Sequence, residues 1–498
     1  MMTLAQMCAE ALRRDPAQPA IEFAGAWVSW GQLKALADQL YALIASSGIA
    51  DSAPVVLVSF NRPPAAAALL AVLAQGRSVR MVYGFQSAAA ISRELAALEP
   101  ALVIAAADVF SDVVTETLQA QGSAAVALGD SAANSVVGLE RCKPGSGSGS
   151  NGVPEIQILT SGTTGAPKRI GISHEMIARH FVGANKNYQA AEDLSRAAPM
   201  FSYYPLGNIS GIYGLIPPLL RGHRVAWVER FSVAAWREYL KKHKPERGSL
   251  PPAGFQMVLD ADVPAEELAC LGCIASGAAP LALDVHRAFE AKYNVPILMS
   301  YGATEFGGPV TSMTLELHAQ WGQQKLGSAG RPIAGSQLRV VDPETGVPLA
   351  AGQEGLLEVM TPRIGEHWLR TSDLAVIDAD GFLFHRGRAD GAIMRGGFKV
   401  LPDTVERALL LHPAVAAAAV VGMADPRLGQ VPAVAIQTKV DVPRPSASDL
   451  EQHLRAHTFA THIPAAWQFV EQLPRTASMK VDYSAVRELF QPGHVSRT

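Results

Sequence analysis

Residues 155–181 read EIQILTSGTTGAPKRIGISHEMIARHF. The opening EIQIL is a short apolar run of strand type, and KRIGIS after the loop is a second one. Ser173 then stands immediately before a helical pattern, where its hydroxyl serves as an N-cap. The loop between the strands, Thr160 to Lys168, gathers hydroxyl residues and glycines ahead of a lysine. That composition suits a polyphosphate: glycines let backbone N–H groups approach closely, hydroxyls donate to phosphate oxygens, and the lysine adds a point charge. It is not a Walker A loop, because the GK[ST] order is absent. A strand entering a polar, glycine-rich loop belongs to α/β folds, and the flanking sequence carries the same theme.

Upstream, KPGSGSGSNG (143–152) contains no apolar residue and reads as a flexible linker. Before it, APVVLVSF (53–60), ALVIAA (101–106) and AAVALG (124–129) are buried-strand runs. They alternate with the helical patterns at 28–48 and 64–76, which predicts a parallel sheet faced by helices. Downstream, HRVAWVE (223–229), LGCIASGAAPL (271–281) and VPILMSYGATE (295–305) again run from strand to polar loop. Residues 335–386 break into short strands between Gly and Asp turns, predicting a small β subdomain. The last ~110 residues mix helix and strand as an α+β unit. The expected architecture is α/β: a large N-terminal domain over 1–389 of stacked α/β subdomains with that β subdomain, and a small C-terminal α+β domain over 390–498.

Of the 498 residues, 49% are hydrophobic and 17% charged, enough to bury a large core without disulfides or metal staples. The 42 basic and 45 acidic side chains leave a net charge of −3, which gives no footprint for nucleic acid. Four cysteines form no disulfide framework and fit a reducing compartment. Cys270 and Cys273 make a lone CxxC without a second pair, read as thiols beside a core strand. The N-terminus lacks a signal-peptide core, no apolar run approaches the ~18 residues of a membrane span, and the final SRT is not a peroxisomal address. A cytoplasmic protein, monomer or homodimer, is expected.

Six strings occur in fixed order: TSGTTGAPK (160–168), SGAAPL (276–281), YGATE (301–305), LRTSDL (369–374), GRADGAIMRGGFKVLPDTVE (387–406) and LPRTASMK (473–480). Together they resemble the motifs of the adenylate-forming superfamily, which holds acyl- and aryl-CoA synthetases, firefly luciferases and nonribosomal-peptide adenylation domains. The resemblance covers nearly the whole chain. It implies that Thr160, Ser161, Gly162, Thr163, Thr164 and Lys168 bind the phosphates of ATP, and that Gly277, Ala278 and Ala279 form the turn against adenine. Tyr301 would lie against the same base, Asp373 would accept from the ribose hydroxyls, and Arg388 would donate to the sugar. Thr304 and Glu305 fall in the catalytic YGATE string, with Glu305 as the Mg²⁺ carboxylate, a hard ligand for a hard cation. Lys480 would steady charge on the carboxylate substrate and the α-phosphate. Asp390 occupies the hinge position, and Gly396 and Gly397 match the loop lining the pantetheine tunnel. Candidate acyl-pocket residues are Ser202, Tyr203, Tyr204, Met299, Phe306 and Gly307.

Several positions depart from the family pattern. Ser202 stands where a gating histidine or another aromatic residue is common, so the lid is more open or Tyr203 or Tyr204 substitutes. Ser372 replaces the glycine before the ribose-binding aspartate, Met479 replaces the glycine before Lys480, Tyr483 stands where arginine is frequent, and the segment between LLEVMTP and WLRTSD is short. The resemblance implies an AMP-forming carboxylic acid–CoA ligase using ATP, Mg²⁺ and coenzyme A on a hydrophobic or aromatic carboxylate. Amino-acid-activating members usually place an aspartate after the phenylalanine that here is Phe201, to hold the α-ammonium. Ser202 in that place disfavours an amino acid, whose ammonium would be costly to bury unpaired. Two alternatives stay open: a stand-alone adenylation enzyme that loads a carrier protein, and a nucleotide-binding protein that has lost catalysis. The sequence ends 18 residues after Lys480, so no fused carrier domain is expected.

Overall fold

The computed structural model describes residues 2–143, 152–160, 168–182, 197–389, 391–395, 398–425, 427–440, 442–476 and 479–491. The chain forms two compact units, dividing between Pro245 and Glu246.

The first unit is built on a seven-stranded sheet. From one edge to the other its strands are Ala133–Ser135, Ala124–Leu128, Leu102–Ala106, Val55–Ser59, Val79–Tyr83, Glu155–Thr160 and Lys168–Ser173. The five inner strands are parallel, as the strand–helix alternation predicts. Both edge strands are antiparallel. Val55–Ser59 is buried along its whole length, which its unbroken aliphatic run requires. The helix Pro63–Ala74 is apolar all round and buried through its first eleven residues, a helix inside the core rather than on a surface. Ser173 caps the last element as expected, its hydroxyl accepting from Met176 N at 3.1 Å.

A second, four-stranded sheet joins Met200–Ser202 and Val225–Trp227 to the hairpin Pro19–Phe23/Ala26–Ser29. The hairpin is not foreseen in the sequence analysis: its turn, Ala24–Gly25, bears a positive φ at both residues, and only the second is glycine. The helix Ile209–Leu220 carries Pro217 and Pro218 inside its last turn. Arg14 reaches across to donate to the carbonyls of Leu219 and Leu220 at its end.

In the second unit the strands Arg247–Ser249, Cys273–Gly277 and Ile297–Ala303 run parallel, and Gly308–Ser312 turns back antiparallel. A four-stranded antiparallel sheet follows, made of Gln337–Val341, Glu354–Thr361, Gly365–Ile377 and Leu383–Arg388. Its third strand has 13 residues and carries LRTSDL within it. The C-terminal part packs the helices Pro402–Leu410 and Ala447–His457 around the strands Val415–Asp425 and Gly429–Thr438. Ala466–Val470, unmarked in the sequence reading, pairs parallel with Gly429–Thr438. All four cysteines are unbridged; Cys8 and Cys273 are buried, Cys142 and Cys270 only partly so. Among the described residues no helix is long and apolar enough to cross a membrane.

Candidate active site

Five of the six motifs lie within the second unit. Tyr301 lies within the strand Ile297–Ala303, and its hydroxyl donates to Asp373 Oδ2. Asp373 pairs in register with Arg388 on the neighbouring strand, with Arg388 Nη1 4.0 Å from Oδ1. His385 Nε2 lies 3.5 Å from the same oxygen, and its ring stacks 6.0 Å from that of Tyr301. Burial alone would raise the Asp373 pKa; His385, Tyr301 and Arg388 outweigh it and hold the carboxylate below its usual range. The Tyr301 hydroxyl is pushed well above its ordinary value, by burial first and by Asp373 next.

Lys480 keeps solvent contact, yet the protein gathered around it lowers its pKa by desolvation. Glu305 and Asp373 oppose that shift, and Arg388 adds to it. The ammonium therefore shares one electrostatic neighbourhood with the proposed metal and ribose carboxylates. Its loop is a closed turn: Thr476 N donates to Lys480 O at 2.8 Å, Met479 N to Thr476 O at 2.9 Å, and Arg475 Nη1 to Met479 O at 3.0 Å. Met479, singled out in the sequence as standing in a glycine position, has φ +63°. The left-handed geometry that glycine serves is thus retained without glycine.

Glu305 is exposed on the short turn Thr304–Phe306, and Gly307 N donates to Thr304 O at 3.0 Å. Arg363 fastens this turn from outside by donating to the carbonyls of Phe306 (3.2 Å) and Pro309 (2.5 Å). Gly302 faces the returning strand so closely that a Cβ would lie 2.5 Å from both Gly308 O and Pro309 Cα. The turn that carries Gly277, Ala278 and Ala279 sits beside Tyr301's strand, with Gly277 in register with Ser300. A Cβ on Gly277 would meet Ser300 Oγ at 2.5 Å, and Ala278 beside it has φ +67°. Among the described residues no group of three His, Cys, Asp or Glu side chains is arranged to hold a metal. A single exposed carboxylate suits Mg²⁺, which completes its shell with waters and substrate phosphates rather than an all-protein cage. Glu305 therefore fits the role.

The two ends of the 160–168 string lie in the first unit. Thr160 and Lys168 are register partners at the ends of its two strands, and Lys168 is exposed. Ser161, Gly162, Thr163 and Thr164 lie outside the described residues, as do Asp390, Gly396 and Gly397. Of the acyl-pocket candidates, Ser202, Tyr203 and Tyr204 belong to the first unit and Met299, Phe306 and Gly307 to the second. Tyr203 is 1% exposed and packs its ring on Phe201, Tyr204 and Phe231. Phe306, also 1% exposed, is part of the apolar cluster with Val310 and Leu357.

Two residues, His385 and Asn61, escape the sequence reading. Ser372, singled out in the sequence, accepts through its Oγ from Arg388 Nη2. Asn61, 1% exposed, organises the SYYPL segment within the first unit. Its Nδ2 donates to Tyr204 O at 3.0 Å and Val228 O at 3.2 Å, and its Oδ1 accepts from Leu206 N at 2.9 Å. A lone asparagine after a strand carries no signal of such a role.

Residues 8–366 match the AMP-binding enzyme family and residues 404–480 match its C-terminal domain. The chain belongs to the AMP-binding enzyme family. Among its curated relatives are a sulfoacetate–CoA ligase of Cupriavidus necator and 4-coumarate–CoA ligase 1 of Oryza sativa. The first is 31% identical over 66% of this chain and 65% of its own length. The second is 29% identical over 67% and 62%. The chain thus spans just under two thirds of these relatives' length. Among solved structures, ATP-bound MatB from Rhodopseudomonas palustris aligns with a TM-score of 0.80 at 21% identity, over 98% of this chain and 99% of that one. The AMP-binding enzyme therefore shares its fold.

Proposed function

We propose that this AMP-binding enzyme is an AMP-forming carboxylic acid–CoA ligase acting on a hydrophobic or aromatic carboxylate. The carrying observation is the shared neighbourhood of Lys480, Glu305, Asp373 and Arg388. In the first half-reaction the carboxylate oxygen attacks the α-phosphorus of ATP, and the bond to pyrophosphate breaks. Lys480 holds its ammonium where negative charge grows on the equatorial oxygens, an interaction stronger in the transition state than before it. Asp373, kept ionised by its partners, accepts from the ribose hydroxyls, and Tyr301 and the Gly277–Ala279 turn take the base. Mg²⁺ held by Glu305 would neutralise phosphate charge. In the second half-reaction the thiol attacks the acyl-adenylate carbonyl and AMP leaves. For this step residues 390–498 act as a domain turning about Asp390, bringing Gly396 and Gly397 to the pantetheine.

Coenzyme A is the favoured thiol because both curated relatives named above are CoA ligases. Ser202 supports a substrate without an α-ammonium: its buried hydroxyl carries no charge to balance one. Incubation with a carboxylate panel, ATP and Mg²⁺, with hydroxylamine as trap, tests the reading. Acyl-hydroxamate and pyrophosphate are expected for apolar acids, and acyl-CoA when coenzyme A replaces the trap. Adenylate without acyl-CoA would transfer the proposal to a carrier-protein thiol. No pyrophosphate from any acid would overturn it.

A further inference from the structure

Tyr483 follows Lys480 by three residues, at most ~11 Å of chain. Its hydroxyl donates to both carboxylate oxygens of Glu406, at 3.1 and 3.3 Å. Glu406 lies on the helix Pro402–Leu410, and its Oε1 also accepts Val420 N at 2.7 Å from the strand Val415–Asp425. One carboxyl group thus joins a helix, a strand and the segment leaving Lys480. The segment itself is stiff. Asp482 N donates to Pro474 O at 2.9 Å, and the Asp482 side chain caps the helix Tyr483–Glu488 by accepting from Ser484 N and Ala485 N, both at 3.1 Å. Arg475 and Val481 are bridged, so the two limbs of the Lys480 loop close on each other. Displacement of Tyr483 is therefore carried into the position of Lys480 rather than absorbed between them.

We propose that Tyr483 and Glu406 are a positioning pair for Lys480: they touch no reactant, and they fix where its ammonium stands during adenylate formation. The proposal rests on Lys480 being the adenylating lysine. Tyrosine supplies the Glu406 carboxyl with a donor that carries no charge. The groups facing Glu406 are Asp403 from its own helix and Tyr483 from the C-terminal segment; Arg475 lies close to Tyr483. Burial and Asp403 push the Glu406 pKa up to about 8, while Val420 N–H and Tyr483 pull it down. A neutral donor tolerates both protonation states of that carboxyl; a guanidinium would hold it ionised.

The test uses the full chain as Tyr483→Phe, Glu406→Gln, the double variant and Tyr483→Arg. Pyrophosphate release and acyl transfer from a prepared acyl-adenylate are measured separately. The Lys480 resonance is followed by ¹³C NMR after reductive methylation, assigned by its loss in Lys480→Arg. Tyr483→Phe should lower the adenylation kcat about tenfold, with KM for ATP and the transfer step unchanged. The double variant should be no worse than the poorer single one. Tyr483→Arg should restore kcat, and the Lys480 resonance should move in Tyr483→Phe and return in Tyr483→Arg. Unchanged kcat and resonance, additive effects, or equal loss of both half-reactions would overturn the pairing. If the parent releases no pyrophosphate with any acid, the ligase reading fails, and the resonance alone then decides whether Tyr483 positions Lys480.

Discussion

Two residues in the motif strings hold backbone geometry that their side chains resist. Met479 and Ala278 both sit at left-handed φ, which costs an L-residue roughly 1–2 kcal/mol. Met479→Gly should raise the stability of the fold by about 1 kcal/mol, and Met479→Val should lower it, because a branched Cβ crowds the turn further. Chemical unfolding midpoints compare the three. Lys480 is the opposite case, where strain is electrostatic. With its pKa lowered by desolvation, the alkaline limb of adenylation should fall below the ordinary lysine range. Lys480→Ala should cost on the order of 10² to 10³ in pyrophosphate release while sparing transfer from a preformed adenylate. A variant releasing pyrophosphate at the parental rate would remove Lys480 from the first step. Most of these residues are legible in the sequence through their strings. Their cost is not, because φ is set by the turn that hydrogen bonds close around Met479.

At the level of strands and helices, the site depends on close approaches and on one irregularity. Gly302→Ala should destabilise the second unit by about 1–3 kcal/mol, since the new methyl meets backbone rather than a movable side chain. Thermal unfolding of the variant measures it. His385 and Arg388 are three residues apart, and a regular strand would send them to opposite faces. The register shifts between Leu374 and Ala375, opposite Gly387 and His385, and that bulge brings both side chains to Asp373. A period-of-two reading has no means of finding His385, since a bulge is an added residue without a sequence mark. Helix Pro402–Leu410 carries a pH signature of its own. Glu406 titrates near 8 in the fold against 4.5 in an open chain, so the stability it confers is full below pH 4.5 and is lost as pH rises through 8. Urea midpoints should fall over that window in the parent and fall less in Glu406→Gln. Parallel slopes in the two proteins would show that Glu406 is not the group responsible.

Across the molecule, the alternation of apolar strands with helices identifies the parallel sheet of the first unit, because burial on both faces leaves so clear a mark. The edges are less legible. Ala133–Ser135 is three residues long with one buried, and nothing in its composition separates it from a loop. The order of the motifs locates the chemistry, while the acyl pocket stays unread, since an apolar side chain such as Tyr203 or Phe306 serves core and ligand with the same signature. The cysteines give the molecule a further property. Cys8 is sealed, its thiol pushed up to about 12 by burial, and Cys273 is also raised by burial. Cys142 and Cys270 are the accessible ones, and they fall on different units. Ellman's reagent should modify two thiols quickly in the native protein and all four in denaturant. Each compact unit thus carries one accessible native thiol, an attachment point for a probe that needs no engineered residue.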